Sequence, residues 1–298
     1  MKLGRFASPQ AEREYDAVYE RGLAALPAPT GQHDIPTAFG TARVYRFGSG
    51  PAIPAVLLPG RAGTAVMWQP NLPAWSRRGP VYAIDLLGEP GRSTQTTPIR
   101  DGADQAAWLT EILDALGHET VHLIGYSFGG WLAANYAARA GKELASLTLI
   151  DPVRTFAELP VAMLFRTTLA LVPGVSHWGR PAFVRWISGG AEVAPDDPVA
   201  TVIEAGMRTY RIGLPTPELL TDDQLRSIGI PVLALIAGNS VIHDAAKAGT
   251  RARALLPDAR VEVWPGATHA IAGESAAAVN ERVLTFLDEV DRDPGAPR

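Results

Sequence analysis

Short apolar runs alternate with longer amphipathic stretches along most of the chain. Residues 55–58 (AVLL), 80–87 (PVYAIDLL), 120–124 (TVHLI), 144–151 (LASLTLID), 231–238 (PVLALIAG) and 260–264 (RVEVW) have the length and the β-branched, apolar content of buried strands. Between them, residues 10–26, 66–75, 103–116, 131–140, 244–256 and 274–290 carry apolar positions at helical spacing or a run of strong helix formers. Ser8 and Pro9 open the first of these as N-cap and first-turn proline, and Gly117 closes the third. Residues 27–36 read as a proline-punctuated loop, and residues 37–47 as a short hairpin or a pair of edge strands. Strands alternating with helices predict an α/β fold, a mostly parallel sheet covered by helices on both faces.

The alternation breaks between Pro152 and Ser227. Three helix-like stretches, 161–171, 182–187 and 199–210, follow one another there with no evident sheet strand between them. The expected organisation is an N-terminal helical extension and loop (1–36), a core in two pieces (37–152 and 228–290), an inserted helical segment (153–227) and a frayed tail (291–298).

Composition narrows the function classes. The 298 residues suit one large α/β unit with an insertion. A net charge of −4, without a basic run or an aromatic-basic stripe, argues against nucleic acid as a partner. No cysteine is present, which excludes disulfides, thiolate catalysis and cysteine-ligated metals. The N-terminus lacks a signal-peptide apolar core and no segment is long enough to span a bilayer, so the expectation is a cytoplasmic protein without membrane insertion. Oligomeric state is not legible.

The chemistry concentrates at residues 125–130, GYSFGG. A strand-like run precedes Ser127 and a helix-forming run follows it, so the serine sits on a strand-to-helix turn with Gly125 and Gly129 two residues to either side. A helix N-terminus there directs backbone N–H groups and a positive dipole end at the hydroxyl, where an oxyanion forms in acyl transfer. His269, in the loop PGATH after the last strand, is the candidate general base. His33, His118 and His177 fall in loops or at helix ends, His122 lies in the elbow strand, and no pair has metal-ligand spacing. Neither a phosphate loop nor a dinucleotide fingerprint is present, and no metal or organic cofactor is implied.

In this order of elements and motifs, over most of residues 40–290, the chain resembles the α/β-hydrolase family. The resemblance implies an eight-stranded, mostly parallel sheet with a helical lid inserted after the sixth strand. It also implies an oxyanion hole built from the backbone N–H groups of Arg61 and Phe128, with Pro59-Gly60 standing where the family usually has His-Gly. Lid positions Phe156, Met163, Phe165, Trp178, Phe183, Trp186 and Met207 are candidate pocket residues, although packing the lid on the sheet is the more ordinary fate of any one of them.

The triad acid stays open. Many family members carry it about three residues beyond a glycine after the seventh strand, where this chain reads Gly238-Asn239-Ser240-Val241. Asp151, at a strand end, and Asp244, in helix N-cap position beside His243, are the alternatives, and the fixed strand end favours Asp151. Asp85, with Glu89 and Arg92, is expected to shape the 88–93 loop, and Asp101 and Asp104 to cap a helix. The resulting expectation is a serine hydrolase acting on an ester or related acyl bond of a small, apolar substrate. Two other readings remain: a small-molecule receptor or signalling protein that keeps the fold, and a lyase or cyclase using the same site.

Overall fold

The computed structural model describes residues 2–140, 144–160, 163, 185–187, 189, 190, 194 and 196–292. The strands in chain order are β1 (Arg5–Phe6), β2 (Gly31–Thr37), β3 (Gly40–Phe47), β4 (Ala55–Leu58), β5 (Val81–Ile84), β6 (Thr94–Gln95), β7 (Val121–Tyr126), β8 (Leu144–Ile150), β9 (Tyr210–Arg211), β10 (Val232–Ala237) and β11 (Ala259–Trp264). The helices are α1 (Pro9–Ala24), α2 (Leu72–Arg78), α3 (Gly102–Leu116), α4 (Phe128–Ala140), α5 (Pro198–Thr209), α6 (Asp222–Arg226), α7 (Ala245–Leu255), α8 (Ile271–Glu274) and α9 (Ala276–Arg292), with a 3₁₀ turn at Ala65–Trp68.

Eight strands form one continuous path, β11-β10-β8-β7-β4-β5-β3-β2, and short β6 adds a ninth strand beside β3. Pairing is parallel from β11 through β5 and antiparallel at the β5–β3–β2 end. The central strands are apolar on both faces because both faces are covered. Along β4, Val56 and Leu58 enter one core cluster while Ala55 and Leu57 enter the other. In β10 the same alternation sends Val232, Ala234 and Ile236 to the first cluster and Leu233, Leu235 and Ala237 to the second. Residues of α3, α4, α6 and α7 fill the first cluster, and residues of α1, α2, α5, α8 and α9 fill the second.

The structure departs from the expected elements in four places. Residues 31–36 are strand β2 rather than loop, paired with β3 at the sheet edge. An edge position tolerates Pro36, whose missing N–H can face away from the ladder. The helix expected over 66–75 divides into the 3₁₀ turn and α2, because Pro70 and Pro73 are poor interior helix residues and good starts. The N-terminal extension is more than a helix: β1 pairs antiparallel with β9, Arg5 opposite Arg211 and Phe6 opposite Tyr210. The last helix continues to Arg292, into the expected tail, where Arg78 makes ion pairs with Asp288 and Asp291. Residues 293–298 of that tail, and most of the expected lid between 161 and 195, lie outside the described residues.

Candidate active site

Ser127 occupies the one-residue gap between β7 and α4 with φ 54°, a left-handed conformation that a non-glycine residue adopts only under constraint. The constraint is visible in the backbone. Ser127 N–H donates to Ile150 O at 3.0 Å, and Val153 N–H donates back to Ser127 O at 3.1 Å, so the turn is tied to the end of β8. Gly125 and Gly129 have no room for a side chain: a Cβ would stand 2.2 Å from Gly129 O in the first case and 2.0 Å from Leu58 O in the second. The elbow therefore needs both glycines for close backbone approach.

The parallel order sets the ends of β7 and β8 side by side, and the loop after β11 reaches past β10, where Asn239 N–H donates to Ala267 O at 2.8 Å, to bring a third side chain to them. His269 Nε2 lies 3.0 Å from Ser127 Oγ, and its Nδ1 lies 2.6 Å from Asp151 Oδ2. Asp151, immediately after β8, is fully buried and itself left-handed at φ 42°. Ala237 N–H donates to Asp151 Oδ1 at 2.9 Å and Ser240 Oγ–H donates to Oδ2 at 2.6 Å. His243 Nε2 lies 3.0 Å from Oδ1 without the alignment of a hydrogen bond. Burial pushes the Asp151 pKa up, but the neighbouring imidazoles of His243 and His269 outweigh it and hold the carboxyl well below the usual carboxylate range. The site is thus a serine, an imidazole and an ionised carboxylate in one hydrogen-bonded series.

His269 is fixed from behind as well. Tyr126, the residue before the serine, stacks on its ring at 5.1 Å between centroids and donates its hydroxyl to His269 O at 2.5 Å. Burial pushes the Tyr126 phenol pKa upward, which keeps it a neutral donor. Glu274 accepts from Thr268 N–H and Oγ–H at 2.5 and 2.7 Å, closing the loop that carries the histidine.

Of the two candidate acids, only Asp151 contacts His269; Asp244 caps α7, accepting from Lys247 N–H at 3.0 Å. Asp85 and Asp101 take their expected structural places, whereas Asp104, expected as a second cap, lies inside the first turn of α3 because Asp101 already accepts from the free N–H groups there. Asp85 binds the Tyr19 hydroxyl and the N–H groups of Ala65 and Arg92, Asp101 caps α3, and Asp104 pairs with Arg100. His33 lies on β2, His118 meets the Tyr82 hydroxyl, and His122 is buried between Ser146 and Asp291. Among the described residues, no group of three or more His, Asp or Glu is arranged to hold a metal ion, and no helix is long and apolar enough to cross a membrane.

Arg61 follows β4 directly beside the elbow. A Cβ on its neighbour Gly60 would stand 3.2 Å from Ser127 Cβ, and Phe128 begins α4. Of the candidate pocket residues, Phe156 is 1% exposed and belongs to the first core cluster, while Met163 and Met207 are half-buried. Trp186, with Arg185, Gly189, Gly190, Asn239 and Val241, borders a cavity of about 520 Å³ beside the loop that carries Ser240. Phe165, Trp178, Phe183 and His177 lie outside the described residues. Sequence reasoning missed the roles of Ser240, His243 and Tyr126 around the series. Ser240 had a signal, since it stands where a carboxylate is usual; the other two are long-range contacts with none.

Comparison with known proteins agrees with the fold. The pattern of the family described as alpha/beta hydrolase fold matches residues 54–179. Carboxylesterase YbfK of Bacillus subtilis (strain 168) is 29% identical over 294 residues, 95% of this chain and 96% of its own. An uncharacterized carboxylesterase, nap, of the same organism is 30% identical over 281 residues, 92% of each chain. The crystal structure of naproxen esterase (carboxylesterase NP) from Bacillus subtilis superposes with a TM-score of 0.86 at 30% identity, covering 94% of this chain and 99% of that one. By sequence and by architecture together, this chain belongs to the α/β-hydrolase family.

Proposed function

We propose that the protein is a carboxylesterase that cleaves small, apolar esters through an acyl-enzyme on Ser127. The observation that carries this reading is the series Ser127 Oγ, His269 and Asp151, joined at 3.0 and 2.6 Å. Ser127 Oγ attacks the ester carbonyl carbon as its proton passes to His269 Nε2, and the tetrahedral oxyanion is held by the N–H groups of Arg61 and Phe128. Collapse breaks the carbon–alkoxide bond, and His269 returns the proton to the leaving alcohol. Water then attacks the acyl carbon, gives a proton to His269, and the carboxylic acid leaves as Ser127 recovers it. Asp151 stays ionised throughout and stabilises the imidazolium that forms twice per cycle. The carboxylesterase relatives support the ester bond as target, and naproxen esters are rational first substrates because one similar structure is a naproxen esterase.

The test is active-site labelling. A fluorophosphonate probe should attach to Ser127, located by mass spectrometry of the adduct, and Ser127→Ala should abolish both labelling and p-nitrophenyl ester hydrolysis. A folded protein that neither labels nor turns over esters would sink the reading and leave ligand sensing on the hydrolase fold in its place.

A further inference from the structure

Glu89 is fully buried, lies outside the serine–imidazole–carboxylate series, and grips the loop that follows β4. One carboxylate oxygen accepts from the Arg61 guanidinium (Nη1 to Oε1, 2.6 Å), and the other accepts from the next residue's backbone (Ala62 N–H to Oε2, 3.0 Å). The side chain and the amide of two successive residues thus converge on one anion. Ala62 has φ 55°, a left-handed conformation that an alanine avoids in a free chain. Charge-assisted hydrogen bonds in a buried site are strong enough to offset such strain. The guanidinium also lies 4.1 Å from the centre of the Phe128 ring and donates through Nη2 to Pro215 O at 3.3 Å. The two residues that flank Ser127 in space, Arg61 and Phe128, are therefore coupled through their side chains, and Glu89 holds one end of that couple.

We propose that Glu89 is a positioning residue for the oxyanion hole: it keeps the Arg61–Ala62 peptide in the strained turn from which Arg61 N–H serves the oxyanion. The inference rests on the reading of Arg61 and Phe128 as the oxyanion donors. Glu89 touches no substrate in this scheme. With a neutral amide at position 89, one oxygen is left for two donors, the Arg61 guanidinium and the Ala62 N–H; Ala62 relaxes toward negative φ, and the Arg61 backbone shifts with it, carrying the N–H of the Gly60–Arg61 peptide out of place. The left-handed requirement also predicts a rescue, because glycine adopts φ near +55° without the alanine penalty.

The experiment compares the wild type, Glu89→Gln, and the double variant Glu89→Gln with Ala62→Gly. Two readouts are taken: the second-order rate of fluorophosphonate labelling at Ser127, and kcat and KM on a p-nitrophenyl ester. Glu89→Gln should slow labelling and lower kcat by about tenfold to a hundredfold, a weakened rather than a deleted donor, with KM and the acid limb of the pH–rate profile unchanged. Ala62→Gly in that background should recover a measurable part of both rates, which a loss of general packing would not. Should Glu89→Gln fail to fold, Arg61→Met, which removes one of the two Glu89 contacts from a partly exposed side chain, should slow labelling severalfold. Wild-type labelling rates in Glu89→Gln, or in Arg61→Met where that variant stands in, would overturn the clamp alone. So would a slowed variant whose acid limb moves, since that places the defect at the base. A wild type that never labels would overturn the esterase mechanism and the clamp with it.

Discussion

Two aspartates sit at C-terminal strand ends of the same sheet, both fully buried, and they behave in opposite ways. Asp85, after β5, accepts three hydrogen bonds: from the Tyr19 hydroxyl at 2.6 Å and from Arg92 and Ala65 N–H at 2.8 and 3.0 Å. Asp151, after β8, also sits among three close donors, Ala237 N–H, the Ser240 hydroxyl and His269 Nδ1. Yet burial pushes the Asp85 pKa up and its partners do not recover it, whereas the Asp151 pKa is held down. The number of hydrogen bonds does not separate them. The difference is that two of the groups around Asp151 are imidazoles able to carry positive charge, while the donors to Asp85 are a phenol and amides. Hydrogen bonds from neutral donors, even with the charge of Arg43 added, leave the burial penalty on Asp85 standing, whereas two imidazoles beside Asp151 overcome it.

This contrast breaks most readily by swapping each carboxylate for its amide. Asp151→Asn should lower kcat on a p-nitrophenyl ester by roughly ten-thousandfold, with KM little changed, because it removes the charge that orients and stabilises the imidazolium. Asp85→Asn should leave kcat within a few fold of wild type, and a comparable loss in both would end the distinction. Ser240→Ala, which takes one neutral donor from Asp151 while leaving the imidazoles, should cost about tenfold in kcat, the scale of one hydrogen bond to a charged group.

Stability against pH sharpens the same contrast, because the two substitutions should show slopes of opposite sign in urea unfolding. The depressed pKa of Asp151 gives stability that is present above the unfolded value and lost as pH falls through the folded one, so the Asp151→Asn penalty should shrink on acidification below about pH 4. The raised pKa of Asp85 gives stability that is present below the unfolded value and lost as pH rises through the folded one, so the Asp85→Asn penalty should shrink from acid toward neutral pH. Parallel slopes would refute the assignment of the two environments. The smallest expected effect belongs to Asp244→Asn, which exchanges one good N-cap for another and should leave kcat unchanged with a slight fall in Tm.

Local signals made part of this site readable in the sequence. Ser127 is framed by Gly125 and Gly129 within five residues, so the strain of the turn is written into the chain beside it, and His269 follows from its place after the last strand. A strand end fixes a carboxylate better than a helix cap, which favours Asp151 over Asp244, and it is Asp151 that stands against His269. The shell around these three was not readable. Ser240, His243, Tyr126 and Glu89 act through neighbours 27 to 143 residues away, and no local pattern encodes such distances. The fold shows the same division. The buried strands carry their periodicity openly, whereas β1 and β9 are two residues each and exist only because they meet. Strand β2 hid behind a proline whose placement depends on which edge of the sheet it occupies.

The backbone bonds between Ser127, Ile150 and Val153 bear on how the protein moves. They weld the ends of β7 and β8 into one stiff body that carries the nucleophile and the acid, and Tyr126, from the same strand, holds the histidine by its ring and its carbonyl. Opening the sheet at this seam would scatter all three reacting groups at once, so hydrogen exchange at the Ser127 and Val153 amides should be slow and should follow global unfolding rather than local fraying.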